Sequence, residues 1–134
     1  MSGNDDLKTR PNEYLVLSRG QWDASSSKEE IQGAIDAFYT WHDRMVADGK
    51  MKTGSRLMRD GKFVSGRAVT DGPYSEAKEI VGGYWFVLAD SLDEAARLLA
   101  GSPCLAHGLF YEVRELDPQR SSAYMVTAET PDGA

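Results

Sequence analysis

Residues 71–90 read DGPYSEAKEIVGGYWFVLAD, in which a turn signal, a charged connector and a Gly-Gly pair precede an apolar run. Gly72 and Pro73 favour a turn, because proline fixes its own φ and glycine tolerates backbone angles that other residues resist. The glycines at 82 and 83 let the backbone pass close to a neighbouring segment. Residues 84–89 (YWFVLA) predict a strand without a polar face, so both of its faces need cover. One small domain rarely supplies both covers, and we therefore expect a partner subunit.

Length and charge restrict the classes of partner. The chain has 134 residues, which suits a single domain whose core would gain from dimerisation. Its net charge of −6 argues against a nucleic acid partner, because such binding relies on a basic surface. No membrane partner is expected, since no apolar span approaches the roughly twenty residues that a membrane helix needs. Cys104 has no second cysteine to pair with and nothing resembles a signal peptide, so we expect a cytoplasmic protein.

Apolar periodicity and helix caps predict one α+β domain. Capping-box patterns at Ser27 and Ser91 begin two helices, which end at Gly49 and near Gly101. Strands are predicted at residues 14–19, 51–59, 62–68, 84–89 and 109–116. The order β-α-β-β-β-α-β is that of a ferredoxin-like sandwich with its helices on one face of the sheet. The other face would pack on a second subunit.

An Asp-Gly pair at residues 60–61 separates two of these predicted strands. Asp-Gly between two extended runs is a strong short-range hairpin signal. We therefore expect residues 51–59 and 62–68 to be antiparallel neighbours, with a positive φ at Gly61.

Both ends of the chain differ from the middle. Residues 1–12 are polar without apolar periodicity, which predicts a flexible arm, and the domain occupies residues 13–118. Residues 119–134 form a small, polar tail. Either the tail is disordered, or its apolar run at residues 123–126 (AYMV) packs on the partner subunit.

Several runs together resemble the YCII-related proteins, and within them the branch named for its Asp-Gly-Pro-Phe motif, with Tyr74 here in place of the phenylalanine. The resemblance starts from residues 71–87 and extends to YLVL at 14–17, DG at 48–49, HG at 107–108 and YEVR at 111–114. It implies a ferredoxin-like sandwich that forms a dimeric α/β barrel with a cleft between sheet and loops.

The resemblance also implies a function. Similar folds bind a small organic molecule in the cleft and support cofactor-independent acid/base conversion, such as isomerisation, lactone chemistry or halide elimination. The alternative is a non-enzymatic ligand-binding or regulatory module, because relatives of this branch are often associated with extracytoplasmic-function sigma factors. No cofactor is expected. No metal is expected either, since two distant histidines and one cysteine do not have the spacing of a metal site.

Three residues are candidates for acid/base work, in the order His107, Asp71 and His42. His107 precedes a glycine at a predicted strand end, where it either faces a cleft or orients a loop by a hydrogen bond. Asp71 is either a base, or orients a histidine, or builds the Gly72-Pro73 turn. His42 borders the apolar helical stripe, where it is either a proton carrier or a partly buried, hydrogen-bonded histidine. Better-understood relatives have an acid/base histidine on this helix, in a register that lies nearer Phe38.

Four further residues are candidates for ligand binding. Tyr74 and Trp85 offer aromatic surface, although such residues are more often core or interface. Arg56 and Arg67, on the two strands of the expected hairpin, could pair with an anionic ligand.

Overall fold

The computed structural model describes residues 12–73, 76 and 79–133. In chain order the elements are β1 (Asn12–Arg19), α1 (Lys28–Ala47), β2 (Met51–Arg56), β3 (Gly61–Val64), β4 (Val69–Gly72), β5 (Val81–Ala89), α2 (Leu92–Leu99), a 3-10 segment (Pro103–His107) and β6 (Phe110–Glu115). Four of the strands form one antiparallel sheet in the order β2-β5-β1-β6. This α+β arrangement of two helices on an antiparallel sheet is compatible with a ferredoxin-like fold.

Helix α1 begins at the cap that the sequence predicts. The Ser27 side chain accepts from the Glu30 backbone N–H at 3.0 Å, while the Glu30 carboxylate accepts from the Ser27 N–H at 2.8 Å. The two bonds satisfy donors that a helix N-terminus otherwise leaves unpaired. At the far end Gly49 adopts a φ of +76°, which allows the chain to turn back into β2. Both predicted ends of this helix are confirmed.

The core lies between the two helices and one face of the sheet. Tyr14 and Val16 of β1 and Trp85 and Val87 of β5 are buried there. Alternate residues of the same strands point to the other face, because successive side chains in a strand alternate. That face carries Leu15, Leu17, Tyr84, Phe86 and Leu88, all partly exposed in the single chain.

The predicted hairpin at Asp60-Gly61 is wrong. β2 pairs with β5, and β3 pairs instead with β4, so that Gly61 lies opposite Gly72. The turn of the true hairpin is at residues 65–68, where the Ser65 hydroxyl accepts from the N–H groups of Arg67 and Ala68 at 3.3 Å. Gly61 is not among the residues with positive φ. Local turn preference was outweighed because the apolar strand β5 has a second edge, and β2 pairs there.

The tail lies outside both sheets. Residues 119–133 contain no helix or strand, and Tyr124 is 97% exposed. Packing of the tail on a partner stays a prediction, and the arm predicted at residues 1–12 lies outside the described residues except for Asn12, which belongs to β1.

Candidate functional site

A cavity of about 440 Å³ opens between α1 and the sheet at the end where β2 meets β5. Its walls come from α1, β2, β5, the 3-10 segment and β6. The lining residues are Ser18, Trp22, Ile35, Phe38, Tyr39, His42, Asp43, Thr53, Gly54, Ser55, Arg56, Gly83, Tyr84, Trp85, Cys104, Leu109 and Tyr111. The volume falls within the range of small-molecule sites.

A bulge in the sheet shapes this end of the cavity. The pairing of β2 with β5 shifts register between Lys52 and Ser55. Gly54 lies in the shift, and a Cβ atom there would come within 2.0 Å of the Tyr84 carbonyl oxygen. Only glycine therefore allows this approach of the two strands.

Aromatic rings form one wall of the cavity. The imidazole of His42 stacks on Phe38, one helical turn earlier, with ring centroids 5.5 Å apart and planes 11° apart. The Trp85 indole meets the rings of Phe38 at 5.2 Å and Tyr111 at 4.9 Å, both edge to face. These contacts hold the Trp85 ring, which also lies 5.8 Å from the His42 ring, in one orientation.

Two polar atoms in this wall have no hydrogen-bond partner in the described part of the chain. His42 and Trp85 are each 6% exposed, and neither His42 Nδ1 nor Trp85 Nε1 has a hydrogen-bond partner among the described residues. Buried polar atoms of this kind are rare, because each loses its bond to water without a replacement. Both residues line the cavity, so a bound molecule could supply the missing partners.

Burial sets the charge of His42. Desolvation lowers the pKa of the imidazole below its ordinary value of 6.5, and the nearby carboxylate of Asp43 partly offsets this by raising it. The ring is consequently neutral at neutral pH, the form in which histidine accepts a proton.

A satisfied polar cluster lies next to this aromatic wall, around the Tyr111 hydroxyl. The hydroxyls of Tyr111 and Ser102 share a hydrogen bond at 2.6 Å, and the Cys104 thiol donates to the Ala34 carbonyl at 3.8 Å. Burial raises the pKa of both the Tyr111 phenol and the Cys104 thiol. Both groups stay protonated at neutral pH, so neither supplies an anion or a thiolate nucleophile.

Arg56 stands at the end of β2, on the rim of the cavity. Its guanidinium lies against the Gly82-Gly83 backbone: a Cβ atom on Gly82 would be 3.4 Å from Nη1, and one on Gly83 would be 3.8 Å from it. Arg56 forms no ion pair within residues 12–73, 76 and 79–133. The expectation that this glycine pair lets another segment approach is confirmed.

The structure does not bring His107 and Asp71 together. His107 shares a hydrogen bond with the Ser26 hydroxyl at 3.0 Å, and its carbonyl accepts from the Asp23 N–H at 2.8 Å. Asp71 lies in β4 with its side chain 90% exposed and pairs with Lys62. Neither residue lines the cavity. The contacts of His107 match the orienting role that the sequence left open.

Some of the remaining candidates line the cavity and others do not. His42, Trp85 and Arg56 all line the cavity, whereas Arg67 lies in the exposed β3–β4 turn. Tyr74 falls outside the described residues. The cavity therefore gathers three of the seven residues that the sequence nominated.

Asp43 and Tyr111 are among the polar residues of the cavity that sequence reasoning missed. Asp43 follows His42 directly, and this adjacency was a usable signal for a charge that tunes the imidazole. Tyr111 alternates with Glu112 on β6, and the Glu112 side is the open face of the sheet, because Glu112 pairs with Leu17. Strand alternation therefore could have placed Tyr111 on the helix side.

The described part of the chain offers neither a candidate membrane helix nor a candidate metal cluster. No helix there is long and apolar enough to cross a membrane. No group of three or more histidine, cysteine, aspartate or glutamate side chains is placed to hold a metal ion there.

Comparison with known proteins identifies the family of this chain. No curated protein matches the chain. A crystal structure of the Arabidopsis thaliana protein At3g17210 is similar to it with a TM-score of 0.39 and 16% identity, over 84% of this chain and 99% of that one. The family model described as the YCII-related domain matches residues 12–117, which is well over half of the sequence. The chain belongs to the YCII-related family.

Proposed function

We propose that the protein binds a small organic molecule in the cavity between α1 and the sheet, and that His42 exchanges a proton with it. The observation that carries the proposal is the unpartnered Nδ1 of a buried histidine on the cavity wall. A neutral imidazole in this position has the charge state of a general base. The protonated cluster of Tyr111 and Ser102 offers hydroxyl groups but no second base.

Within the family we assign the chain to the Asp-Gly-Pro-Phe branch. Asp71-Gly72-Pro73 and His107-Gly108 support the assignment. Of these, Gly108 has a structural reason to be glycine, since its φ is +104°.

We also propose that two copies join through the open face of the sheet. Apolar side chains of β1 and β5 fill the middle of this face, and charged pairs flank them: Arg19 with Glu112 at 2.7 Å and Lys52 with Glu13 at 2.8 Å. An apolar centre with a charged rim is the usual anatomy of a protein interface. A second copy presents the same pattern, which suits a two-fold dimer.

Sedimentation of matched variants tests the dimer. Phe86→Glu puts a charge in the middle of the open face, whereas Val64→Glu puts one on the exposed β3–β4 hairpin. Wild type and Val64→Glu should sediment as dimers at micromolar concentration, and Phe86→Glu as a monomer, because an unpaired charge in a desolvated interface is unfavourable. A monomeric wild type would contradict the proposal.

Crystals soaked in a mixture of small carboxylates, phenols and lactones test the binding site. Density is expected in the cavity, with polar atoms of the bound molecule near His42 Nδ1 and Trp85 Nε1. A molecule bound beside His107, or no bound molecule in the cavity at any soak, would contradict the assignment.

Hydrogen–deuterium exchange then tests the proton transfer. In D₂O the wild type should accelerate loss of the acidic C–H signal of a bound molecule. His42→Gln should abolish the acceleration while binding persists, and His107→Gln should retain it. Binding without acceleration by the wild type would instead favour the non-enzymatic, regulatory alternative.

A further inference from the structure

We propose that the molecule bound in the cavity is a monocyclic organic acid that carries a further oxygen substituent, with its carboxylate paired to Arg56. The inference rests on the proposed binding function and narrows it to a chemical class. Three independent features of the wall lead to it: an unpaired guanidinium, a set of facing rings and two unpartnered nitrogens.

The unpaired guanidinium belongs to Arg56. The chain has 21 acidic and 15 basic residues, so carboxylates outnumber the cations. Two other cations of the same sheet have carboxylate partners, Arg19 with Glu112 and Lys52 with Glu13. Arg56 has none among the described residues, although it lines this cavity. A planar carboxylate matches the fork of a guanidinium better than other small groups do.

The backbone under Arg56 contributes to its position. Gly82 and Gly83 leave the space in which the guanidinium lies, and a Cβ atom on Gly82 would approach Nη1 to 3.4 Å. An added Cβ at either position would make ordinary van der Waals contact with Nη1, so the guanidinium lies directly against the Gly82-Gly83 backbone at the cavity rim.

The aromatic rings of the cavity wall favour a flat ligand. Phe38, Trp85 and Tyr111 are fixed against one another by edge-to-face contacts, with centroid distances of 5.2 Å and 4.9 Å. Aromatic walls favour a planar or unsaturated ring through offset stacking and edge contacts. A cavity of about 440 Å³ accepts one such ring with its substituents.

The two nitrogens favour an oxygen on that ring. The Trp85 indole N–H can only donate, so its partner must be an acceptor such as a hydroxyl or carbonyl oxygen. The neutral His42 imidazole can accept a proton or donate one, which a hydroxyl satisfies in either tautomer. An unsubstituted benzoate would leave both nitrogens unpaired.

Calorimetric titration with matched molecules tests the class. The probes are 2-, 3- and 4-hydroxybenzoate, the corresponding hydroxybenzamides as neutral isosteres, benzamidine as a cationic one, and benzoate without the hydroxyl. The tightest hydroxybenzoate should bind wild type about tenfold to a hundredfold more tightly than its amide, as expected for a hydrogen bond to a charged group. It should also bind more tightly than benzoate. Benzamidine should bind more weakly than any of them, although Asp43 also lines the cavity.

Two arginine variants give the matched control. Arg56→Met should reduce the preference for acid over amide to near onefold, while Arg67→Met, on the exposed hairpin turn, should leave it unchanged. Thermal melts check that both variants fold. An amide that binds as tightly as its acid, a tighter benzamidine, or a preference retained in Arg56→Met would overturn the inference while leaving the binding function in place. If no probe binds to the wild type, the inference fails, whereas the proposed binding function fails only if the crystal soaks also leave the cavity empty.

Discussion

The two histidines of this chain lie in regions that differ in secondary structure, burial and hydrogen bonding. His42 sits in the regular helix α1, buried against Phe38 and Trp85, with Nδ1 unpartnered among the described residues. His107 ends the irregular 3-10 segment, partly exposed and hydrogen-bonded to Ser26. The irregular region is thus the one whose histidine is satisfied, and the regular helix carries the unsatisfied one.

This difference distinguishes a structural histidine from a functional candidate. A structural histidine holds a loop in place through a hydrogen bond at a ring nitrogen, as His107 does with Ser26. That nitrogen is then no longer free to bind a ligand. An unpartnered, buried nitrogen destabilises the fold and makes no hydrogen bond that would hold a neighbouring segment in place. The presence of such a nitrogen beside a cavity is therefore the stronger indication of a ligand.

Gly108→Ala should have the largest effect on the His107 region. Gly108 has a φ of +104°, and an added Cβ would lie 2.6 Å from Asp23 Oδ1 and 2.7 Å from the Gln21 carbonyl. The strained backbone alone should lower the free energy of unfolding by about 1–3 kcal/mol, and the clash should lower it further. Urea denaturation of the variant measures the loss.

Gly33→Ala in α1 is the matched control. Nothing lies within 4 Å of an added Cβ at Gly33, and alanine is the better helix former. This variant should gain about 0.5–1 kcal/mol. A Gly108→Ala protein as stable as wild type would show that the loop does not depend on this residue.

Replacing each histidine by phenylalanine should shift stability in opposite directions. His107→Phe removes the bond to Ser26 and should lower the free energy of unfolding by about 0.5–1.5 kcal/mol. His42→Phe removes an unpartnered nitrogen from an aromatic environment, so at pH 7 the variant should be at least as stable as wild type. A clear loss of stability in His42→Phe would mean that the imidazole is satisfied after all.

The pH dependence of stability should separate the two residues more finely. The pKa of His42 is lowered by burial from its ordinary 6.5. Between the lowered value and 6.5 the unfolded chain binds a proton at this site that the folded chain does not, so stability falls as the pH drops through this window. Above 6.5 the effect vanishes. His42→Phe should remove this part of the slope, and His107→Phe should retain it, as measured by denaturation at a series of pH values.

Much of the fold could be predicted from the sequence. The caps at Ser27 and Ser91 act locally, and the uniformly apolar run at residues 84–89 predicts a strand. Each of these signals depends on residues close together in the chain, and the structure confirms them.

The position of the hairpin and the residues of the site could not be predicted, because both depend on contacts between segments that are distant in the sequence. Asp60-Gly61 is a strong turn signal, but β5 offers β2 a longer pairing across the sheet, and the turn forms at Ser65 instead. The glycine after His107 favours this residue as a cleft histidine, but in the structure that glycine shapes the loop. The lack of a partner at His42 Nδ1 arises from the packing of Phe38 and Trp85 around it, and no sequence pattern encodes that absence.

The most direct test of the account is an NMR titration of the His42 ring, which is straightforward because the chain has two histidines and His107→Phe leaves one. We expect a pKa below 6.5 for His42, and a still lower pKa in Asp43→Asn, because the Asp43 carboxylate raises the pKa of the imidazole. A pKa at or above 6.5 in the wild type would mean that the ring is solvated or hydrogen-bonded. That result would contradict the claim that His42 is a buried, neutral imidazole whose Nδ1 is available to a molecule bound in the cavity.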